Sequence, residues 1–177
     1  MSWSNPLIIN NLPNYTEKIG HLVCMMNYAR LTTLNTIKNL SIQELDFQLD
    51  EKSNSIGALL SHIVSVETYY QAKTFENRAL NDDEEKIWKN SLELGELGKS
   101  IKDNSLEHYL QILEITRNKT LEKLQTLSDD WLFLEHSIGS TNANNYWFWF
   151  HVVEDEINHR GQIRMIKKRA IQNSNVN

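Results

Sequence analysis

Hydrophobic positions recur along this chain every three or four residues, and four long segments carry the pattern. This spacing places apolar side chains on one face of an α-helix, whereas the sustained alternation typical of a strand is missing. Each helix would leave an apolar face exposed if it stood alone, so the pattern predicts an all-α four-helix bundle. The predicted helices run from about Thr16 to Lys38, Asn54 to Glu76, Ser105 to Leu127 and Asn144 to Ala170.

The connections between the predicted helices are polar. The segment between the second and third helices contains NDDEEK and ELGELGK, and we expect a short extra helix there, around Glu84–Asn90. The length of this connection leaves the topology of the bundle open. The segment HSIGSTNANN, between the third and fourth helices, is predicted to be a loop. Residues 1–177 are expected to form one domain, with an extended N-terminal segment at 1–14 and a disordered tail at 172–177.

Composition and charge narrow the class of protein. No apolar run approaches the ~18 residues that a membrane-spanning helix needs, and the first residues lack the charged and apolar regions of a signal peptide. The net charge is -5, which argues against a nucleic-acid binder because such proteins usually carry a basic excess. One cysteine, Cys24, cannot form an internal disulfide, which is typical of a reducing compartment. We therefore expect a cytoplasmic protein that binds neither nucleic acid nor membrane.

Polar residues interrupt the apolar face of the fourth predicted helix. Asp155 and His159 are four residues apart and lie on the face marked by Val152 and Ile163. An unpaired charge inside a bundle costs several kcal/mol, so these side chains either satisfy each other or surround a cation. His62, at the edge of the second helix's apolar stripe, would complete a set of two imidazoles and one carboxylate, which is typical of catalytic zinc and non-haem iron sites. Spacing alone leaves both readings open: a metal site, or a buried Asp–His pair beside a second histidine.

Several other residues have alternative interpretations. Glu67 lies near the centre of the second helix's apolar stripe; it would either orient a metal ligand or bond a neighbouring Arg, Tyr or Trp and fasten the bundle. His151 is expected beside the ligands or at the edge of the core rather than as a ligand. No partner spacing singles out the remaining histidines, which are His21, His108 and His136.

Five aromatic residues open the fourth predicted helix, from Tyr146 to Phe150. A run that covers every side of a helix is expected to divide between the core and an interface. The exposed part would be a pocket wall or the contact surface of a homodimer.

Two motifs resemble the DinB-like superfamily of helical-bundle metalloproteins. The segment HVVEDEINHRGQIRMIKKR is similar to the family's last helix, in which a ligand is followed after three residues by His-Arg-Gly-Gln-Ile. The segment SIGALLSHIVSVETYY is similar to its second helix, in which a histidine is followed five residues later by an acid; here these are His62 and Glu67. The motifs occur in the family's order and the likeness in helix count covers almost the whole chain.

The resemblance implies that His62 and His159 are metal ligands and that Asp155 holds the third ligand position. Most DinB-like proteins have histidine at that position, and the related mycothiol-dependent maleylpyruvate isomerases have glutamate. Aspartate is one methylene shorter than glutamate, which bears on the affinity and preference for the metal. Zinc is the expected ion, with nickel and iron as alternatives.

The family includes thiol-dependent transferases and isomerases, so the resemblance implies a metal-dependent thiol S-transferase. Such an enzyme would join a low-molecular-weight thiol to an electrophilic small molecule, and Arg160 would help to bind an anionic substrate. A metal-dependent hydrolase is the second hypothesis, with Glu67 or Glu154 as its base. The third is a non-enzymatic, metal-stabilised stress-response or interaction protein that uses the aromatic run as its partner surface.

Overall fold

The computed structural model describes residues 5–174. Its helices confirm the predicted all-α bundle, and the strands described within these residues form one small hairpin. Four long helices form the bundle, and the short ones lie in the connections. The helices are α1 (Glu17–Ile37), α2 (Ile42–Asp46), α3 (Ile56–Tyr70), α4 (Asp82–Glu93), α5 (Gly95–Gly98), α6 (Leu106–Leu124) and α7 (Asn145–Ser174), and the strands are β1 (Glu135–Ile138) and β2 (Thr141–Asn144). One π-helical turn, Gln71–Phe75, continues α3, and a 3₁₀ turn, Asp129–Phe133, precedes the hairpin.

The structure differs from the sequence-based expectation in its connections. The segment predicted as a loop before α7 is an antiparallel hairpin, in which Ile138 pairs with Thr141. Gly139 makes this tight turn feasible because its φ of +57° lies in the left-handed region that favours glycine. The last helix continues to Ser174 and so covers part of the predicted tail. Residues 1–4 and 175–177, the ends of the expected N-terminal segment and tail, lie outside the described residues.

The bundle runs up-down-down-up rather than up-down-up-down. Helix α7 is parallel to α1, because Arg160 bonds the Ala29 carbonyl while Lys167 bonds the Thr36 carbonyl further along both helices. Helix α6 is parallel to α3, because Glu67 bonds Arg117 and, one turn later, Gln71 bonds Thr120. Each of α1 and α3 packs between α6 and α7, so α1 and α3 lie diagonally across the bundle.

The long connection after α3 explains this topology. Helix α4 packs along α3 and carries the chain back towards the start of α3. Its start is fixed by a capping box in which the Asn81 side chain accepts from the backbone N–H of Glu84, and Glu84 bonds back to the N–H of Asn81. Helix α6 consequently starts at the same end as α3, where Tyr109 packs directly on Gly57 and leaves no room for a Cβ.

A layer of buried charge divides the apolar core in two. One cluster, with Ile19 and Phe148, lies towards the hairpin, and the other, with Leu60 and Ile163, lies towards the opposite end. Each long helix places one charged residue between the two clusters. These residues are Arg30, Glu67, Arg117 and Glu156.

Candidate metal centre

His62 from α3 meets Asp155 and His159 from α7 in the groove between these two helices. The Oδ1 atom of Asp155 lies 3.1 Å from Nε2 of His159 and 3.6 Å from Nε2 of His62. The four-residue spacing on α7 sets the first contact, and the packing of α3 against α7 supplies the second. One ligand atom from each of the three residues lies within 4.8 Å of the others, and no other such group occurs within residues 5–174.

The opposite nitrogen of each imidazole is held by an acceptor. Nδ1 of His62 lies 2.7 Å from the Ser91 carbonyl oxygen of α4, and Nδ1 of His159 lies 2.8 Å from Oε1 of Gln162. A carbonyl accepts only, so Nδ1 of His62 must donate, and the Gln162 contact favours the same tautomer for His159. In both neutral rings, Nε2 then carries a lone pair that faces Asp155.

This arrangement argues against a simple Asp–His pair. Two acceptor nitrogens that face a carboxylate repel it; protonation of His159 relieves one of the two contacts, whereas a cation between the three groups relieves both. In addition, Oδ2 of Asp155 is buried and has no hydrogen-bond partner among the described residues, which is uncommon for a buried polar atom. The donor set of two imidazole nitrogens and a carboxylate therefore fits a divalent cation, and the acceptors that hold Nδ1 of each ring are of the kind that metal-binding histidines have.

The electrostatics of the three residues are strongly coupled. Burial raises the pKa of Asp155, but hydrogen bonds and charge from His159 and His62 lower it by more, so that it stays well below its usual value. Burial lowers the pKa of His159, and the hydrogen bond and charge of Asp155 more than compensate and raise it. The side chains of all three residues keep 12–14% of their surface exposed to solvent.

Tyr70 and His151 extend the site towards the hairpin. Tyr70 is buried, and its pKa is raised by burial first and then by Tyr69 and Asp155, so its phenol stays protonated near the carboxylate. His151 lies 6.0 Å from the Tyr70 ring, stacks on Trp147 and bonds Glu154 at 3.1 Å. His151 is therefore adjacent to the groove but makes no hydrogen bond to the three residues.

The contacts of Glu67 match the second of its two predicted roles, in which it fastens the bundle instead of orienting a metal ligand. Its carboxylate bonds Arg117, Arg30 and the Thr120 hydroxyl, and none of its hydrogen bonds goes to the candidate ligands. Glu156 completes the network by bonding both arginines. Burial raises the pKa of Glu156, but Arg30 and Arg117 together hold it below its usual value, so the network remains ionised.

Two further candidates from the sequence are engaged elsewhere. Arg160 bonds the Ala29 carbonyl and the Thr32 hydroxyl of α1, so it joins α7 to α1 instead of facing the groove. Glu154 bonds His151. The expectation that Arg160 binds substrate therefore has no support in its contacts.

The groups that orient the ligands were not predicted from the sequence. Gln162 falls on the same helical face as Asp155 and His159, and this spacing was a usable signal. The Ser91 carbonyl belongs to the backbone of a helix that is distant in sequence, so no residue type marks it. The aromatic run divides as expected: Phe148 and Trp149 are buried, whereas Trp147 and Phe150 are 40% and 48% exposed.

Among the helices described between residues 5 and 174, none has the length and apolar character needed to cross a bilayer. This agrees with the absence of a long apolar run in the sequence.

Comparison with known proteins identifies one matching family and related structures. The model of the mycothiol-S-transferase family matches residues 21–170, a range that includes all three candidate ligands. An uncharacterized protein from Clostridium difficile 630 is 19% identical, with 85% of this chain and 95% of that chain covered and a TM-score of 0.66. A protein from Streptococcus pneumoniae is 16% identical, with 87% and 90% covered and a TM-score of 0.61. At these identities the two structures show a shared fold only. No curated protein matches the chain.

Proposed function

This chain belongs to the mycothiol-S-transferase family, a DinB-like family, and we propose that it is a metal-dependent thiol S-transferase whose metal ligands are His62, Asp155 and His159. The observation that carries the proposal is the set of acceptor atoms that face one another: two imidazole Nε2 atoms and a carboxylate with one unpartnered oxygen. Zinc is the expected ion because nitrogen ligands with a carboxylate suit it, and nickel and iron remain alternatives.

The proposed reaction joins a low-molecular-weight thiol to an electrophilic small molecule. The thiol proton passes to solvent, the sulfur forms a bond to the electrophilic carbon, and the leaving group departs with the electron pair of its former bond. A bound divalent cation would supply Lewis acidity that lowers the pKa of a thiol beside it. Three protein ligands leave coordination positions for a substrate, and the 12–14% exposure of the three side chains provides access to them.

The residues around the ligands have supporting roles. Ser91 and Gln162 fix the orientation of the two imidazoles. The Tyr70 ring packs on Phe148 at 5.0 Å at the end of the site that faces the hairpin. The hydrolase hypothesis is less well supported, because both acids considered as its base, Glu67 and Glu154, are bonded elsewhere.

Metal content is the direct test of the site. We expect the purified protein to carry about one equivalent of a divalent metal by elemental analysis, and the His62→Ala variant to carry almost none. His151→Ala is the matched control, because His151 lies beside the groove without bonding the ligands, and it should retain the metal. Equal metal content in the wild type and the His62→Ala variant would refute the proposed ligand set.

Turnover tests the reaction class separately. The metal-loaded protein is incubated with mycothiol, glutathione or cysteine and monochlorobimane, whose fluorescence increases when a thiol displaces its chloride. We expect turnover that is lost in His159→Ala and kept in His151→Ala. Hydrolysis of activated esters without thiol would favour the hydrolase, and full metal content without either reaction would favour the non-enzymatic alternative.

A further inference from the structure

Two clefts lie along α3, one on each side of the candidate metal centre, and the candidate ligands line neither of them. The cleft on the hairpin side, here called the polar cleft, has a volume of about 450 Å³. The cleft on the opposite side, the apolar cleft, has a volume of about 240 Å³. The polar cleft is lined mainly by Tyr69, Lys73, Asn77, Arg78, His136 and Ser137. The apolar cleft is lined mainly by Leu49, Asn54, Leu59, Gln162, Met165 and Ile166.

The order of residues along the two helices places the metal centre between the clefts. On α3, Leu59 of the apolar cleft precedes His62 by three residues, and Tyr69 of the polar cleft follows it by seven. Helix α7 runs antiparallel, so Gln162 and Ile166 lie beyond His159 at the apolar end. At the other end, Phe148 of α7 contacts the polar cleft, with Lys73 5.7 Å and His136 6.0 Å from its ring.

The polar cleft is suited to an oxygen-rich group. Lys73 has no carboxylate within ion-pair distance among the described residues, whereas the charge of Arg78 is paired with Glu76 and Glu84. Glu135 also lines the cleft and accepts a hydrogen bond from Asn142. Lys73 therefore provides an unpaired donor beside the amide of Asn77 and the hydroxyl of Ser137. Lys73 also belongs to the π-helical turn after α3, and such turns are frequent at functional sites.

The apolar cleft is suited to a small hydrophobic group. Leu49, Leu59, Met165 and Ile166 supply most of its wall. Gln162 lines the cleft and also accepts from Nδ1 of His159, so this wall is directly connected to a candidate ligand.

Some residues of the clefts and of the metal centre carry buried polar atoms without hydrogen-bond partners. Five such side-chain atoms occur in residues 5–174, and three of them belong to the two clefts and the metal centre: Asn54 Oδ1, His136 Nε2 and Asp155 Oδ2. Buried polar atoms are nearly always hydrogen-bonded, so each exception calls for an explanation. Asn54 Oδ1 packs against Gly98 of α5, 2.8 Å from the position that a Cβ there would occupy, so the atoms that point to a ligand are His136 Nε2, on a residue of the polar cleft, and Asp155 Oδ2 in the metal centre.

We propose that the two clefts bind the two substrates on either side of the metal: the polar cleft holds the oxygen-rich part of the thiol, and the apolar cleft holds the hydrophobic part of the electrophile. This inference rests on the proposed transferase function. Low-molecular-weight thiols of cells carry sugar or peptide groups that need hydrogen-bond partners, which only the polar cleft supplies in number. The electrophile is accordingly a small apolar compound, limited by the 240 Å³ of its cleft. His136, for which the sequence predicted no special role, becomes a thiol-binding residue.

The test compares variants of the two clefts in the metal-loaded full-length protein, with mycothiol and monochlorobimane as probes. Lys73→Ala and His136→Ala should each raise the KM for mycothiol by about tenfold, the equivalent of one good hydrogen bond, and change the KM for the bimane by less than about twofold. Met165→Trp, which fills the apolar cleft from its exposed side, should do the reverse. Lys86→Ala and Ile171→Trp are the matched controls, since neither residue lines a cleft, and they should change neither constant.

Binding measurements separate this inference from the proposed function. The dissociation constant of mycothiol is measured by calorimetry without electrophile, and we expect it to rise about tenfold in Lys73→Ala and not in Met165→Trp. If the wild type binds mycothiol in this manner but does not turn over, the transferase function fails and the polar cleft stands. The assignment of the clefts is wrong if each variant changes the KM for mycothiol and the KM for the bimane together, or if the polar-cleft variants affect the bimane and the apolar-cleft variant affects mycothiol. It is also wrong if mycothiol does not bind.

Discussion

Two acceptors outside the candidate ligand set decide which nitrogen of His62 and of His159 faces Asp155. One is the Ser91 carbonyl and the other is the Gln162 side chain. Such partners fix the tautomer of a metal-binding histidine and make the ring a better ligand.

The contribution of Gln162 can be measured directly. Gln162→Leu should weaken zinc affinity by about 10- to 100-fold, because Nδ1 of His159 loses its acceptor. Gln162→Glu should retain the affinity, since a carboxylate also accepts. The affinity is measured by competition with a chromogenic chelator, with Gln43→Leu in α2 as the control. An unchanged affinity in Gln162→Leu would show that the amide does not support the ligand.

Protons should compete with the metal at His159. Asp155 raises the pKa of this imidazole despite its burial, and a raised folded-state pKa stabilises the protein below the unfolded pKa of about 6.5. In the metal-free protein this stabilisation is lost as the pH rises through the folded pKa, and zinc binding is then favoured because no proton must be displaced. Zinc affinity measured from pH 5.5 to 8 should therefore rise with pH. A flat profile would argue against His159 as a ligand.

The candidate ligands could be found from sequence because chemistry and periodicity coincide there. Asp155 and His159 interrupt an apolar stripe at a spacing of four residues, and His62 lies at the edge of another stripe. The Ser91 carbonyl could not be found, because every residue carries a carbonyl and only the packing of α4 selects this one.

Among the elements, the four bundle helices are joined by a neutral network of two arginines and two glutamates. Each long helix contributes one of Arg30, Glu67, Arg117 and Glu156, and every one is buried. The network lies between the two apolar clusters, and its member Glu156 directly follows Asp155 along α7. Because both arginines bond Glu67 of α3 and Glu156 of α7, the network fixes the position of these two helices relative to each other along the bundle axis. These helices bear the candidate ligands.

Removing one member of this network should be costly. Glu67→Gln leaves two buried guanidinium groups with one carboxylate, and loss of one partner in a buried ion pair typically costs about 3–5 kcal/mol. We expect a decrease of this size in the free energy of unfolding by urea. Lys119→Met, on α6 with an exposed side chain, is the control and should change stability by less than about 0.5 kcal/mol. A loss below about 1 kcal/mol in Glu67→Gln would mean that water enters and replaces the missing charge.

The sequence does contain an indication of this network, although the spacing of the apolar residues alone does not identify it. Arg30 follows Met26 by four residues and precedes Thr33 by three, so it occupies an apolar position of α1. Arg117 similarly follows Leu113 on α6. The apolar stripes of the four long helices together contain two arginines and two acids, and comparing the four stripes would have predicted a network. The hairpin before α7 could not be predicted in this way, because strands of four residues are too short to establish an alternation.

At the scale of the whole molecule, the metal would tie α3 to α7 across the groove. A ligand that binds only the folded state stabilises it by RT ln(1 + [L]/Kd), about 4 kcal/mol at a thousandfold excess over Kd. We expect zinc to raise the melting temperature of the wild type by several degrees and a chelator to reverse the change. The His62→Ala variant should melt at the same temperature with and without zinc. A similar shift in this variant would indicate that zinc binds elsewhere.

The homodimer expected from the exposed aromatic residues stays a prediction. Phe150 and Ile157 of α7, with Tyr28 of α1 and Leu7, line an apolar groove on the side of α7 opposite the candidate ligands. If a second copy covers this groove, the wild type should sediment as a dimer and Phe150→Glu as a monomer. Ile171→Glu, which alters another exposed apolar residue of α7, should leave the sedimentation unchanged. A monomeric wild type would contradict the prediction.

The packing of α4 against α3 gives the long connection an unexpected sensitivity to length. A single residue inserted between Glu84 and Ser91 would rotate the following part of α4 by roughly 100° about its axis and turn the Ser91 carbonyl away from the imidazole of His62. The ring would then be free to flip or to present its other nitrogen. Insertions in a segment that contains no candidate ligand would thus weaken metal binding. A library of such insertions would show loss of zinc retention without loss of helix content.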